Sequence, residues 1–322
     1  MEEAIKNFAS QFAYEPKIEN TNTFKPATKF IVIGMGGSHL AADLLKVWDP
    51  SLDLIVHQGY GLPTLPKDVL KDRLVILSSY SGNTEEVISA FEEADAKNLP
   101  RAIVSIGGEL LELAQKHNLP YIQMPDTGIQ PRSALGFNLI ALLELMDQGR
   151  AIEEARKLSS ILKPLEFEIG GRELAARLKN FVPVIYSSLQ NLPIVYNWKI
   201  KFNETGKIPA FYNVFSELNH NEMTGFDAKG ATEKLAKNFY FLLLEDENDT
   251  PKIKKRMQTL AKLYRDRDLK IEFIKIADNN NVFYKIFSSL ILADWAAYHI
   301  AKSYGVEPEQ VPMVEEFKKL IS

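Results

Sequence analysis

The chain has 322 residues, 46% hydrophobic and 25% charged, a balance that supports one large globular domain or two of medium size. A formal net charge of -4 argues against a nucleic-acid partner, because phosphate backbones reward a basic surface. With no cysteine, disulfides, thiolate nucleophiles and cysteine-held zinc or iron–sulfur sites are excluded.

In chain order, the opening "MEEAIKNFAS" is acidic and then amphipathic, without the basic start and apolar core of a signal peptide. No apolar run approaches the length of a bilayer span, so a soluble cytoplasmic protein is expected. Residues 1–20 read as a helix loosely packed on the rest of the chain. "KFIVIGMGGSHLAADLLKVW" then reads as strand, Gly turn and helix, and "LDLIVHQGY" as a strand. "RLVILSSYSGNTEEVISAFEEA" and "RAIVSIGGELLELAQKH" repeat strand, turn and helix; "LPYIQMP" adds a short strand and "ALGFNLIALLELMDQGR" an apolar helix. Continuous apolar strands separated by helices predict a parallel sheet buried on both faces.

The charged stretch from Ile152 to Gly171 holds the expected boundary, giving domains 1–155 and 156–322. Beyond it the α/β alternation resumes through "VPVIYSS", "IVYNWKIKFNETG", "NFYFLLLEDEND" and "KIEFIKIA". "NVFYKIFSSLILADWAAYHIAKSYG" and "MVEEFKKLI" close the chain as helices. The halves share a βαβ style, a duplication visible in pattern but not in letters.

Two turns have the makings of an anion site. A strand that ends in small residues and opens a helix aims backbone N–H groups and the positive end of the helix dipole at one spot. In "SSYSGNTEE", Ser79, Ser81 and Thr84 can donate hydroxyl hydrogen bonds, Gly82 permits close approach, and Glu85 and Glu86 suit the first helical turn. An isolated turn of this kind would be read as a helix cap. Here "GMGGSHL", with Gly37 and Ser38, follows another strand and shifts the balance toward a ligand. His39 stands where the dinucleotide fingerprint G-x-G-x-x-G needs its third Gly, and there is no Walker sequence, so a small phosphorylated metabolite fits better than ATP or NAD.

"IVIGMGGSHLAADLL" and "LSSYSGNTEEVISAFEEA" resemble the signature loops of sugar isomerase (SIS) domains, which bind phosphosugars. "PRSALGFNL" and "KFNETGKIPAFYNVFSELNHNEMTGF" narrow the resemblance to the bifunctional phosphoglucose/phosphomannose isomerases of archaea and some bacteria. It covers nearly the whole chain, from about residue 25 to the end, and the second half departs most. It implies an α/β fold of two SIS-type domains, each a parallel β-sheet flanked by helices in a flavodoxin-like three-layer αβα arrangement. It also implies a homodimer with the site between the domains. The implied activity interconverts glucose 6-phosphate, and mannose 6-phosphate too, with fructose 6-phosphate by metal-free proton transfer through a cis-enediolate. No cofactor is implied, and the partners are a hexose 6-phosphate and a second copy of the chain.

Such a reaction needs a base that carries a proton between adjacent carbons, a group that stabilises the enediolate, and groups that open the sugar ring. The resemblance assigns the base to Glu204, in "KFNETGK" after a strand; taken alone, most Glu residues in such segments are solvated. It assigns the enediolate to Arg132 in "QPRSALG", otherwise a surface Arg, and ring opening to His220 and Lys318, with His220 reaching across the dimer. Asn219, Asn221 and Glu222 offer partners to fix the tautomer of His220, and the other four histidines, His39, His57, His117 and His299, show no comparable polar setting. Gly37, Ser38, Ser79, Ser81 and Thr84 are expected to hold the phosphate. Lys318 on an amphipathic helix would otherwise be a solvated Lys. Val311 replaces the Thr that relatives often carry, which bears on mannose 6-phosphate because Val cannot hold a water by hydrogen bonding.

Two other readings use the same loops. A non-catalytic phosphosugar sensor would keep the hydroxyl turn and need no base. An aminosugar-phosphate enzyme would require an amino sugar or glutamine. Five scattered histidines make no metal cluster of the kind metal-dependent phosphomannose isomerases need, so chelators are expected to leave activity intact.

Overall fold

The computed structural model describes residues 1–277 and 279–321. The chain forms two units, one of Lys6–Leu162 and one of Met1–Ile5 with Lys163–Ser322. The division falls within the charged Ile152 to Gly171 stretch, after Leu162 and so beyond the expected 155/156 break.

In the unit Lys6–Leu162 the apolar runs become β1 (Phe30–Ile33), β2 (Leu54–His57), β3 (Leu74–Ser78), β4 (Arg101–Ser105) and β5 (Tyr121–Gln123). All pair in parallel in the order β2-β1-β3-β4-β5. Every residue of β1, β3 and β4 is buried, whereas the edge strands β2 and β5 are only partly covered. Ile31, Ile33, Val75 and Leu77 pack with Val87 and Phe91 of the helix Glu85–Ala96. Each such side chain contributes about 1.5–3 kcal/mol relative to exposure.

The chain leaves β1 for one side of the sheet and β3 leads to the other. In an open parallel sheet of this order, the strand ends flanking that reversal form the binding crevice. "GMGGS" follows β1 and "SYSGNT" follows β3, so both turns flank it.

The other unit carries β6 (Val182–Ser188), β7 (Phe211–Phe215), β8 (Phe239–Glu245) and β9 (Lys270–Lys275), parallel in the order β7-β6-β8-β9. Its order repeats the first four positions of the other sheet, so the shared βαβ style is also a shared topology. Tyr186, Phe241, Leu243, Met257, Leu260 and Tyr264 belong to its core.

Two segments differ from expectation. Residues 1–20 are not one loose helix: they form a short helix, Glu2–Lys6, then a 3-10 helix, Phe8–Ala13. Ile5, Phe8 and Phe12 are buried, at most 3% exposed. "IVYNWKIKFNE" lies in the helix Leu192–Glu204, which buries Val195, Trp198 and Phe202 at helical spacing.

Candidate active site

In the unit Lys6–Leu162 the two glycine turns are locked together by buried polar groups. The Ser38 hydroxyl accepts the Tyr80 N–H at 2.9 Å. Its carbonyl accepts the Ser78 hydroxyl at 2.9 Å and the Asn138 side-chain amide at 3.0 Å. Ser38, Ser78 and Asn138 are each no more than 5% exposed. Ser78 and Asn138 therefore fix the geometry of the turns. Ser38 uses acceptor capacity on Tyr80 and keeps its hydroxyl hydrogen for donation. Burial, with Asp126 adding to it, pushes the Tyr80 phenol above its ordinary value and keeps it neutral beside these turns.

Thr84 immediately precedes the helix Glu85–Ala96, yet its side chain makes no capping hydrogen bond. Its hydroxyl pairs with that of Ser79 at 2.7 Å, and Ser79 also accepts the Gly82 N–H at 3.0 Å. The exposed Ser81 hydroxyl accepts the Asn83 N–H at 3.2 Å. The helix-cap reading therefore fails for Thr84, and the three hydroxyls gather around a helix start whose first N–H groups have no intrahelical acceptor. Gly82, at φ +74°, is required by space as well as conformation: a Cβ there would lie 1.8 Å from the Gly107 carbonyl oxygen.

Arg132 sits in the 3-10 turn Pro131–Ser133, ahead of the helix Leu135–Leu145. It is 2% exposed, so it is not a surface Arg, and its charge is only weakly screened by water. Gly37 brings this turn against the first glycine turn, since a Cβ on Gly37 would meet the Arg132 backbone nitrogen at 2.7 Å. Gly37, Ser38, Ser79, Thr84 and Arg132 thus belong to one assembly of interlocked turns, with Ser81 on its exposed side.

In the other unit, Glu204 is the last residue of the helix Leu192–Glu204 and is half-buried. It ends a helix rather than following the expected strand. Lys207, at φ +57°, folds back so that its ammonium donates to the Glu204 carbonyl at 2.5 Å and to the Gln310 carbonyl. One turn before Glu204, Lys201 is 2% exposed and pairs with both Asp294 oxygens at 2.7 Å. Neither lysine stands out in the sequence; only a cation at a helix C-terminus hints at Lys207.

His220 ends the 3-10 turn Glu217–His220 that follows β7, and it is exposed. The expected partners do not fix its tautomer. The Asn219 carboxamide accepts from Arg256 at 3.3 Å, and that of Asn221 donates to Glu217 at 2.6 Å. Glu222 accepts from Tyr186 and Asn213. Burial pushes the Tyr186 phenol well up, so it stays a donor to Glu222. These bonds pin the loop on either side of His220 rather than the imidazole. Nor is polarity of setting what distinguishes His220: His39, 1% exposed, has Asp43 at 2.7 Å and Gln58 at 3.1 Å.

Lys318 lies on the helix Pro312–Ile321, is exposed, and pairs with Glu315 at 3.0 Å. In the chain, Glu204 precedes β7 and His220 follows it, and Lys318 follows the segment that Lys207 ties to the Glu204 turn.

The profile of the bacterial phospho-glucose isomerase C-terminal SIS domain matches residues 168–321. The bifunctional phosphoglucose/phosphomannose isomerase of Aquifex aeolicus is 31% identical over 98% of this chain and 96% of its own. The protein of the same name from Thermoplasma acidophilum is 31% identical over 99% and 97%. Among solved structures, tagatose-6-phosphate ketose/aldose isomerase from Escherichia coli shares the fold with a TM-score of 0.69, at 16% identity over 95% of this chain and 93% of that one.

Proposed function

The chain belongs to the bifunctional phosphoglucose/phosphomannose isomerases, and from that premise we propose that it interconverts glucose 6-phosphate and mannose 6-phosphate with fructose 6-phosphate. The observation that carries this reading is the 31% identity across 98% of the chain. The hydroxyl-rich turns at the strand ends are the chemistry such a substrate's phosphate requires. Ser38, Ser79, Ser81 and Thr84, with the backbone at Gly37, hold the phosphate. His220 and Lys318 pass the proton that opens the ring. The Glu204 carboxylate takes the proton from C2 of the aldose and returns it to C1, while the hydroxyl proton moves from O2 to O1. Arg132 stabilises the cis-enediolate charge formed between these steps. Atoms and electrons balance within the sugar, so no cofactor is consumed.

We also assign the working form to a cytoplasmic homodimer. Among the described residues no helix is long and apolar enough to cross a membrane. The scheme routes no step through a metal, so EDTA is expected to leave the rate unchanged; a loss restored by zinc would overturn that part.

The decisive experiment offers fructose 6-phosphate and identifies the aldose phosphates formed. Both glucose 6-phosphate and mannose 6-phosphate are expected, and the yield of the second measures what Val311 permits. No aldose phosphate at all removes the isomerase reading and leaves the phosphosugar-sensing one. Glu204→Gln is expected to cut kcat by about 10²–10⁴-fold while fructose 6-phosphate still binds. Undiminished turnover would remove Glu204 as the base.

A further inference from the structure

Arg132's turn is bracketed by one buried side chain from far earlier in the chain. Gln11 lies in the 3-10 helix Phe8–Ala13 and is 3% exposed. Its Nε2 donates to the Ser133 carbonyl at 2.6 Å. Its Oε1 accepts from the backbone N–H of Gly136 at 2.9 Å and of Phe137 at 3.4 Å. One carboxamide thus satisfies the carbonyl that ends the Arg132 turn and the first N–H groups of the helix Leu135–Leu145, which have no acceptor within their own helix. The fit is close: a Cβ on Gly136 would come within 2.7 Å of the Gln11 Cβ. On its other side the turn abuts Gly37. Arg132 is held between the carboxamide and the first phosphate turn.

We propose that Gln11 is a positioning residue for Arg132, setting where the guanidinium lies relative to the bound sugar phosphate. The inference rests on the enediolate role assigned to Arg132 above. It requires an amide, because one end must donate and the other accept. An ionised Glu has no donor and would place a carboxylate oxygen against the Ser133 carbonyl; Met fills the space and does neither.

The test measures kcat and KM for fructose 6-phosphate in Gln11→Met, Gln11→Glu, Arg132→Met and the double variant Gln11→Met/Arg132→Met. If Gln11 acts through Arg132 on charge that exists only in the transition state, kcat falls and KM holds. A displaced guanidinium is expected to cost about ten- to a hundredfold in kcat in either Gln11 variant. In the Arg132→Met background, Gln11→Met should lower kcat no further, whereas a merely structural role would give the same fold-loss with or without Arg132. Equal losses in both backgrounds, an unchanged kcat in the Gln11 variants, or a loss confined to KM overturns the inference. If neither Gln11 variant folds, the carboxamide is a folding determinant and the inference also falls. Wild-type kcat in Arg132→Met alone would instead overturn the role of Arg132 itself, a distinguishable failure.

Discussion

Ser79 and Thr84 pair their hydroxyls with each other, and the backbone between them can run so tightly only because residue 82 has no side chain. Gly82 combines φ +74° with a site where a Cβ would lie 1.8 Å from a carbonyl oxygen. Gly82→Ala must therefore move either its own turn or the backbone at Gly107. The expected cost is about 1–3 kcal/mol, read as a lower urea midpoint. Because the displaced groups are those proposed to grip phosphate, KM for fructose 6-phosphate should rise more than kcat falls. An unchanged KM in a folded Gly82→Ala protein would detach this turn from the substrate. The same locality explains which residues could be picked out from sequence. Ser79, Ser81 and Thr84 advertise themselves through spacing within a few residues of a strand end. Gln11 and Asn138 do not, since the groups they serve lie more than a hundred residues away in Gln11's case and sixty or more in Asn138's.

At the scale of elements, the helix Leu192–Glu204 is fastened to the helix Val282–Ser303 by the buried pair Lys201–Asp294. Removing Lys201 takes from the buried Asp294 carboxylate the cation paired with both of its oxygens, so Lys201→Met is expected to destabilise the fold by about 3–5 kcal/mol. Lys201→Met/Asp294→Leu should recover most of that loss, because an apolar pair replaces the ionic one without a stranded charge. Urea titrations of the two variants check it; a double variant no better than the single one contradicts the argument. The later helix also carries His299, stacked on Trp295 with ring centroids 5.8 Å apart. Burial pushes its pKa down; Glu168 and Glu2 pull the other way and Arg172 adds to the depression. The neutral form is thus favoured in the folded state, while the unfolded chain takes up a proton near its ordinary value of about 6.5. Stability is therefore lost as pH falls through that value. His299→Gln should flatten the drop in urea midpoint between about pH 7 and pH 5.5, and an equal drop in both proteins would clear His299 of the effect. Neither helix feature was legible in advance. "IVYNWKIKFNE" is rich in β-branched and aromatic residues and mimics a strand, and Lys201 looks like a surface residue until Asp294, distant in sequence, is brought beside it.

For the whole molecule, the sheets were legible because each central strand is a continuous apolar run closed by a turn, as at Phe30–Ile33 and Leu74–Ser78. The packed N-terminal turns, expected as one loose helix, were not, because the burial of Phe8 and Phe12 depends on partners that no local pattern names. His220 was found through resemblance, and it lies exposed after β7. In the chain, Glu204 precedes β7 and His220 follows it. We propose a site in which Glu204 of one protomer works with His220 of its partner. Mixing inactive proteins tests the pairing. Glu204→Gln and His220→Ala homodimers each lack one group at both sites. After dissociation and random reassociation, about half the dimers are mixed. If His220 is supplied across a two-fold interface, each mixed dimer regains one complete site, and about a quarter of wild-type activity should return. If each chain uses its own His220, every site in the mixed dimer lacks one of the two groups and no activity returns. Sedimentation of the mixture shows whether exchange took place, so an inactive but exchanged sample would rule out sharing.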